Sequence, residues 1–203
     1  MPQRALVLID LQNDFCAGGA LAVQQGDEVI VIANQLAQQF RQRGDLVIAT
    51  QDWHPADHGS FASVAQQPIG EVGELNGLSQ RWWPDHAVQH TPGADFHPDL
   101  DVSVFDAVFR KGEYADVDSY SAFFDNGHQR QTQLHSWLQQ RGISSLVMMG
   151  LATDYCVKFS VLDALALGYN VEVIRQGCRG VNTLPEDSNN ALREMATRGA
   201  TVL

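Results

Sequence analysis

The chain has 203 residues, 44% of them hydrophobic, which is enough to bury one continuous core as a single domain over 1–203 without disulfide staples. Its 24 acidic against 13 basic residues give a net charge of −11 with no Lys/Arg cluster, which argues against nucleic acid and anionic membrane as partners. No apolar run approaches the roughly 20 residues of a membrane span, the start Met1-Pro-Gln-Arg4 lacks a signal profile, and Cys16, Cys156 and Cys178 match neither a disulfide framework nor a Cys-x-x-Cys motif, so a reducing, cytoplasmic location is expected.

In chain order, Arg4 to Asp10 is an apolar run closed by a carboxylate, the pattern of a central strand buried on both faces. A loop of small residues follows, and then Val29, Ile32, Ala33, Leu36 and Phe40 recur at helical spacing between Asp27 and Gly44. Asp45 to Gln51 is a second strand. From Asp52 to about Asp101 periodicity fails while Pro, Gly, His and Trp accumulate, and a stretch this long is expected to form substrate-facing loops. Val104 to Arg110 is a third strand, and a helix over Gln129 to Gln140 turns Leu134, Trp137 and Leu138 inward. Ser145 to Met149 is a buried fourth strand. Gly150 then permits a sharp turn into a helix marked by Val157, Val161, Ala164 and Leu165, with Cys156 on its first turn. Asn170 to Arg175 is a fifth strand, Thr183-Leu-Pro-Glu186 has capping-box spacing for a helix to about Thr197, and Ala200 to Leu203 closes the chain as a sixth strand. Strands alternating with helices imply right-handed crossovers and a mainly parallel, doubly wound α/β sheet covered on both faces.

That topology brings Asp10, Asp52, Lys111 and Cys156 to one edge, because each follows the C-terminal end of a strand and ligands bind in the crevice beyond those ends. Each has an ordinary alternative: a cap, a solvated strand terminus, a small buried thiol. Together their chemistry is complementary. The helix N-terminus and a lysine favour a thiolate at Cys156. Asp10 can take the thiol proton and return it to a leaving group, Lys111 can hold Asp10, and the N–H groups of Ala152 and Cys156 are placed to hold an oxyanion. A second cluster, Asp52, His54 and His58 with His86 further on, has the N/O donors of a site for Zn²⁺, Fe²⁺ or Mn²⁺ with positions left open. His90, His97, His128 and His135 show no such grouping.

Ala5 to Phe15, Gln51-Asp52-Trp-His54-Pro-x-x-His58-Gly-Ser60-Phe61, Trp83-Pro-Asp-His86, Lys111-Gly112 and Gly150-Leu-Ala-Thr-Asp-Tyr-Cys156-Val resemble, in order and over essentially the whole chain, the bacterial nicotinamidases (pyrazinamidases) of the isochorismatase-like cysteine hydrolases. The resemblance implies a doubly wound sheet of about six strands and hydrolysis of nicotinamide to nicotinate and ammonia in NAD salvage, with pyrazinamide as a side substrate. It implies a triad of Asp10, Lys111 and Cys156, and metal ligands Asp52, His54 and His86, joined by His58 or Ser60 directly or through water. It also implies ring contacts from Phe15 and Trp83 with Tyr120 and Tyr155 nearby, and a cis peptide before Ala152. Asp85 falls outside the pattern and carries charge next to a ligand. The alternatives are a related cysteine hydrolase acting on another small amide, and a non-catalytic metal or pyridine-ligand binding protein. The oligomeric state is left open.

Overall fold

A computed structural model describes residues 4–203; Met1-Pro-Gln, part of the start read above as lacking a signal profile, lies outside the described residues. In β1 (Arg4–Ile9) the five residues after Arg4 are fully buried, as a strand covered on both faces requires. The strands β2 (Leu46–Asp52), β5 (Ala107–Lys111), β6 (Ser145–Leu151), β7 (Asn170–Arg179) and β8 (Thr201–Val202) join β1 in a six-stranded sheet of order β5-β2-β1-β6-β7-β8. Every pairing in it is parallel. Numbered within the sheet alone, this is the doubly wound order 3-2-1-4-5-6, and the chain reverses direction of growth between β1 and β6. Helices cover both faces, and among the described residues none is long and apolar enough to cross a membrane. Helix α1 (Glu28–Arg43) packs against β1, β2 and β7, while α4 (Lys158–Ala166) lies on β7 and against α5 (Asp187–Thr197).

Local chemistry moves several boundaries from their expected places. The buried stripe of α1 is Val29, Ile30, Ala33, Ala37 and Phe40, so the helix is rotated from the predicted face and leaves Ile32 and Leu36 only partly covered. Gly44 closes it at φ 77°, donating to the carbonyls of Phe40 and Arg41. The third predicted strand starts later, at Ala107, because Asp101 accepts the Ser103 N–H and holds Val102–Val104 in a 3₁₀ turn. Helix α3 (Leu134–Gln140) likewise starts five residues after Gln129, since the Asp125 carboxylate takes the N–H groups of Gln129 and Arg130 into a turn at 3.0 Å each. The capping box at Thr183 is absent: Asp187 caps Leu184 N at 2.7 Å, Asn182 caps Ser188 N at 3.0 Å, and α5 opens only at Asp187.

Gly150 is not the turn. It lies inside β6 at φ 137°, where a Cβ would stand 2.1 Å from the Ile9 carbonyl oxygen, and the chain bends one step later at a cis Leu151–Ala152 peptide. The 52–101 stretch is mostly irregular, as expected, with a one-turn helix α2 (Ala62–Ala65) inside it, but it also includes a hairpin, β3 (Val72–Leu75) with β4 (Leu78–Arg81), that the sequence reading did not anticipate.

Candidate active site

The sheet register sets the first four side chains. Asp52 and Lys111 are direct partners across β2 and β5, and Ile9 pairs with Gly150 across the switch point, so Asp10 and the residues after β6 leave the sheet side by side. Lys111 Nζ lies 2.9 Å from Asp10 Oδ2, 3.0 Å from Asp52 Oδ1 and 3.4 Å from Cys156 Sγ, and donates to the Ser119 carbonyl at 2.9 Å. All four side chains are buried. Asp10 sits at φ 50°, and its Oδ1 accepts the Thr50 hydroxyl at 2.6 Å. Its Oδ2, although ion-paired, receives no aligned hydrogen bond. That oxygen is the one with capacity to take a proton. Cys156 lies in a five-residue π-helical turn, Thr153–Val157, that leads into α4.

The electrostatics correct one expectation. Burial pushes the Cys156 thiol well above its ordinary range, and Asp10 and Asp52 add to that rise against the opposing charge of Lys111. These contributions favour a neutral thiol at rest and act against the thiolate that a helix N-terminus alone would favour. Burial also raises the Asp10 carboxyl, with Lys111 opposing and Asp52 contributing. Burial works against the Lys111 ammonium, but Asp10, Asp52 and Cys156 together hold it charged, its pKa well above the usual lysine range.

Asp52, His54 and His86 bring one ligand atom each to within 4.8 Å of one another, and all three are buried. Gln12 fixes the carboxylate's backbone like an extra strand rung: its amide donates to the Asp52 carbonyl and accepts from the Asp52 N–H, both at 2.8 Å. His86, more than thirty residues on in sequence, arrives because His54 N bonds Ala87 O at 2.9 Å and Gln89 N bonds His54 O at 2.8 Å, a single parallel bridge. Both imidazoles turn Nδ1 to a backbone carbonyl, Gly112 for His54 (2.9 Å) and Pro84 for His86 (2.7 Å). Both Nε2 atoms then face Asp52 Oδ2, at 3.0 and 3.6 Å. A carbonyl on the far nitrogen is the usual means of orienting a metal-bound histidine. Gly112 is needed here: at φ 69° its Cβ would stand 2.4 Å from the His54 ring. The donor set fits a divalent cation on charge as well, since Lys111 is one cation against the carboxylates of Asp10 and Asp52.

His58 and Ser60 stand behind this set and bond each other at 2.7 Å, with His58 Nε2 directed to the Val117 carbonyl at 3.2 Å. Burial and the neighbouring His54 lower the His58 pKa to about 4. The Asp85 carboxylate accepts the Ser63 hydroxyl at 2.6 Å. The remaining histidines are engaged elsewhere: His90 edge-on to Trp53, His97 with Asp27, His128 with Asp163 and His135 with the Tyr169 hydroxyl.

A small cavity joins the two clusters, with Asp52 and His86 on its lining together with Cys156 and Ala152. Phe15, Trp83, Tyr120 and Tyr155 form its aromatic walls, Trp83 meeting Tyr155 edge to face at 4.8 Å and Tyr120 meeting Tyr155 at 5.3 Å. Sequence reasoning missed Leu21, Asp118 and Val181 on the same lining, and Gln80, which reaches Asp118 at 2.9 Å from β4. None carries a motif of its own. Asp118 is buried, accepts from Gln80 and from the Ser119 N–H, and sits in a polar stretch, Asp116-Val-Asp-Ser119, that gives no signal of its own.

An isochorismatase-domain profile matches residues 4–203. The chain is 58% identical to the nicotinamidase of Escherichia coli K12 over 202 residues, covering all of this chain and 95% of that protein. A solved nicotinamidase/pyrazinamidase of Acinetobacter baumanii superposes with a TM-score of 0.94 at 40% identity, over 100% of this chain and 96% of that one. The pyrazinamidase of Pyrococcus horikoshii, solved in complex with zinc, superposes at 0.82 with 37% identity, over 100% and 99%.

Proposed function

The chain belongs to the isochorismatase family, and we propose that it is a nicotinamidase, hydrolysing nicotinamide to nicotinate and ammonia through a thioester on Cys156. The observation that carries this is the shared cavity, in which a slot walled by aromatic rings has a thiol with its own acid–base pair and a buried N/O donor set on one lining. Asp52, His54 and His86 would hold a divalent cation, zinc first and Fe²⁺ or Mn²⁺ next by donor type. When bound, it supplies a Lewis-acid contact that orients the ring nitrogen.

The chain's own residues account for the steps. As the Cys156 sulfur forms its bond to the carboxamide carbon, its proton passes to Asp10 Oδ2, the oxygen left without an aligned donor. Lys111 steadies the anionic charge that moves between sulfur and carboxylate at 3.4 and 2.9 Å. The N–H groups of Ala152 and Cys156 hold the tetrahedral oxyanion. The C–N bond then breaks, Asp10 gives its proton to the departing ammonia, and a thioester remains. Water loses a proton to Asp10 as it adds to the thioester carbon; the C–S bond breaks, the sulfur regains that proton from Asp10, and the new carboxylic acid gives its remaining proton to solvent as it leaves as nicotinate.

Three unpaired cysteines, one of them the nucleophile, fit the reducing cytoplasm. The experiment is Cys156→Ala in the metal-loaded protein: ammonia release is lost while nicotinamide still quenches the fluorescence of Trp83. Retained turnover would remove the nucleophile assignment.

A further inference from the structure

The mechanism leaves one buried carboxylate of the nucleophile turn unused. Asp154 lies two residues before Cys156, its side chain 6% exposed, and it makes no ion pair among the described residues. Its oxygens instead divide between two consecutive backbone donors: Val181 N to Oδ1 at 2.9 Å and Asn182 N to Oδ2 at 2.8 Å. Both donors lie beyond the last residue of β7, where no strand ladder holds them. Among the described residues, the bond to Asp154 is the only one made by the Val181 backbone. Val181 lines the substrate cavity together with Tyr155 and Cys156 of the turn that carries Asp154 and with Ala152, which precedes that turn. On its far side the loop is fixed to α5, since Asn182 Oδ1 caps Ser188 N at 3.0 Å.

We infer that Asp154 is a positioning residue that sets the width of the slot, holding the Val181 wall at a fixed distance from the nucleophile turn. This rests on the amidase reading above and adds a determinant of ring selectivity to it. A carboxylate accepting two backbone N–H groups forms charge-assisted bonds, which are stronger than neutral ones. The turn itself has separate support: Tyr155 N and Val157 N both bond the Ala152 carbonyl, at 3.2 and 3.1 Å, and Cys156 is met by Lys111. Releasing Asp154 therefore frees the wall and leaves the nucleophile in place.

The test is steady-state kinetics of the metal-loaded protein with nicotinamide and a ring-methylated nicotinamide, for wild type, Asp154→Asn, Val181→Ala and the double variant. Asp154→Asn puts an amide N–H where one backbone donor needs an acceptor. It should raise KM for nicotinamide about tenfold, keep kcat within about threefold, and increase relative kcat/KM for the methylated amide. Val181→Ala should do the same, and the double variant should be no worse than either single one, because both act on one wall. A role in folding alone would lower the active fraction, and so kcat, with KM and selectivity unchanged; that result overturns the inference, as do effects that multiply in the double variant. If Asp154→Asn does not fold, Asp154→Glu keeps both acceptors on a longer arm and must show the same shift in KM and selectivity, or the inference fails. A wild-type protein that releases no ammonia overturns the amidase reading and this inference with it. A wild-type protein that turns over while Asp154→Asn matches its KM and selectivity overturns the inference alone.

Discussion

At the scale of single residues, the site works by placing one ammonium among three acidic groups. Lys111 stays charged in a buried position because Asp10, Asp52 and Cys156 surround it, and removing it would leave carboxylates buried without compensation. Asp10 must be ionised to accept the thiol proton, and burial raises its pKa above the ordinary 3.8. Activity in kcat/KM is therefore expected to fall as pH drops through a value above 3.8, while the raised Cys156 and Lys111 keep the alkaline side flat. An acid limb at or below 3.8 would contradict the assignment of Asp10 as base. Lys111→Gln should lower kcat by about a hundredfold or more and move the acid limb upward, since the charge that opposes protonation of Asp10 is gone. A kcat within a few-fold of wild type would show that Lys111 is a structural ion pair only.

At the scale of elements, two features position what the residues do. The first is the close pass of β1 and β6 at Gly150. A methyl group there would meet the Ile9 carbonyl at 2.1 Å in a backbone region that L residues seldom adopt. Gly150→Ala is expected to cost about 3 kcal/mol or more, read as a fall in the urea midpoint or loss of folded protein; an unchanged midpoint would mean that the strands separate freely. The second is the β3–β4 hairpin, whose Gln80 bonds Asp118 at 2.9 Å and Tyr120 at 3.4 Å. Gln80→Ala should lower kcat/KM about tenfold, whereas exposed Ser79→Ala should leave it unchanged, and equal effects would deny the hairpin a part in the site. The strands were legible in the sequence because each is a short apolar run, and Asp10, Asp52, Lys111 and Cys156 follow them by topology. Gln80 and Asp118 were not, since Val72–Arg81 lacks an alternating pattern and its contacts are made to a distant loop. The starts of β5, α3 and α5 were misplaced for a common reason: Asp101, Asp125 and Asp187 capture nearby backbone N–H groups, which periodicity of apolar residues does not register. The helix-terminus argument for a thiolate is local, and burial with two carboxylates from other strands acts against it.

At the scale of the whole molecule, buried polarity ties stability to pH. His58 is neutral and enclosed, its pKa lowered to about 4 by burial and by His54. Above its ordinary 6.5 neither the folded nor the unfolded chain protonates it; between 6.5 and about 4 only the unfolded chain does, so stability is lost as pH falls through that window. The loss should amount to a few kcal/mol between pH 7 and pH 4 in urea unfolding, and His58→Gln should lose less over the same range; an equal loss would place the acid sensitivity elsewhere. The fold, the aromatic slot and the two clusters converge on one chemistry, and the measurement that addresses it most directly is ammonia and nicotinate formed from nicotinamide by the purified protein, before chelation, after chelation, and after a divalent metal is returned. The account predicts the two products in equal amounts, loss of both on chelation, and recovery with Zn²⁺, Fe²⁺ or Mn²⁺. A folded, metal-loaded protein that forms neither product would contradict it.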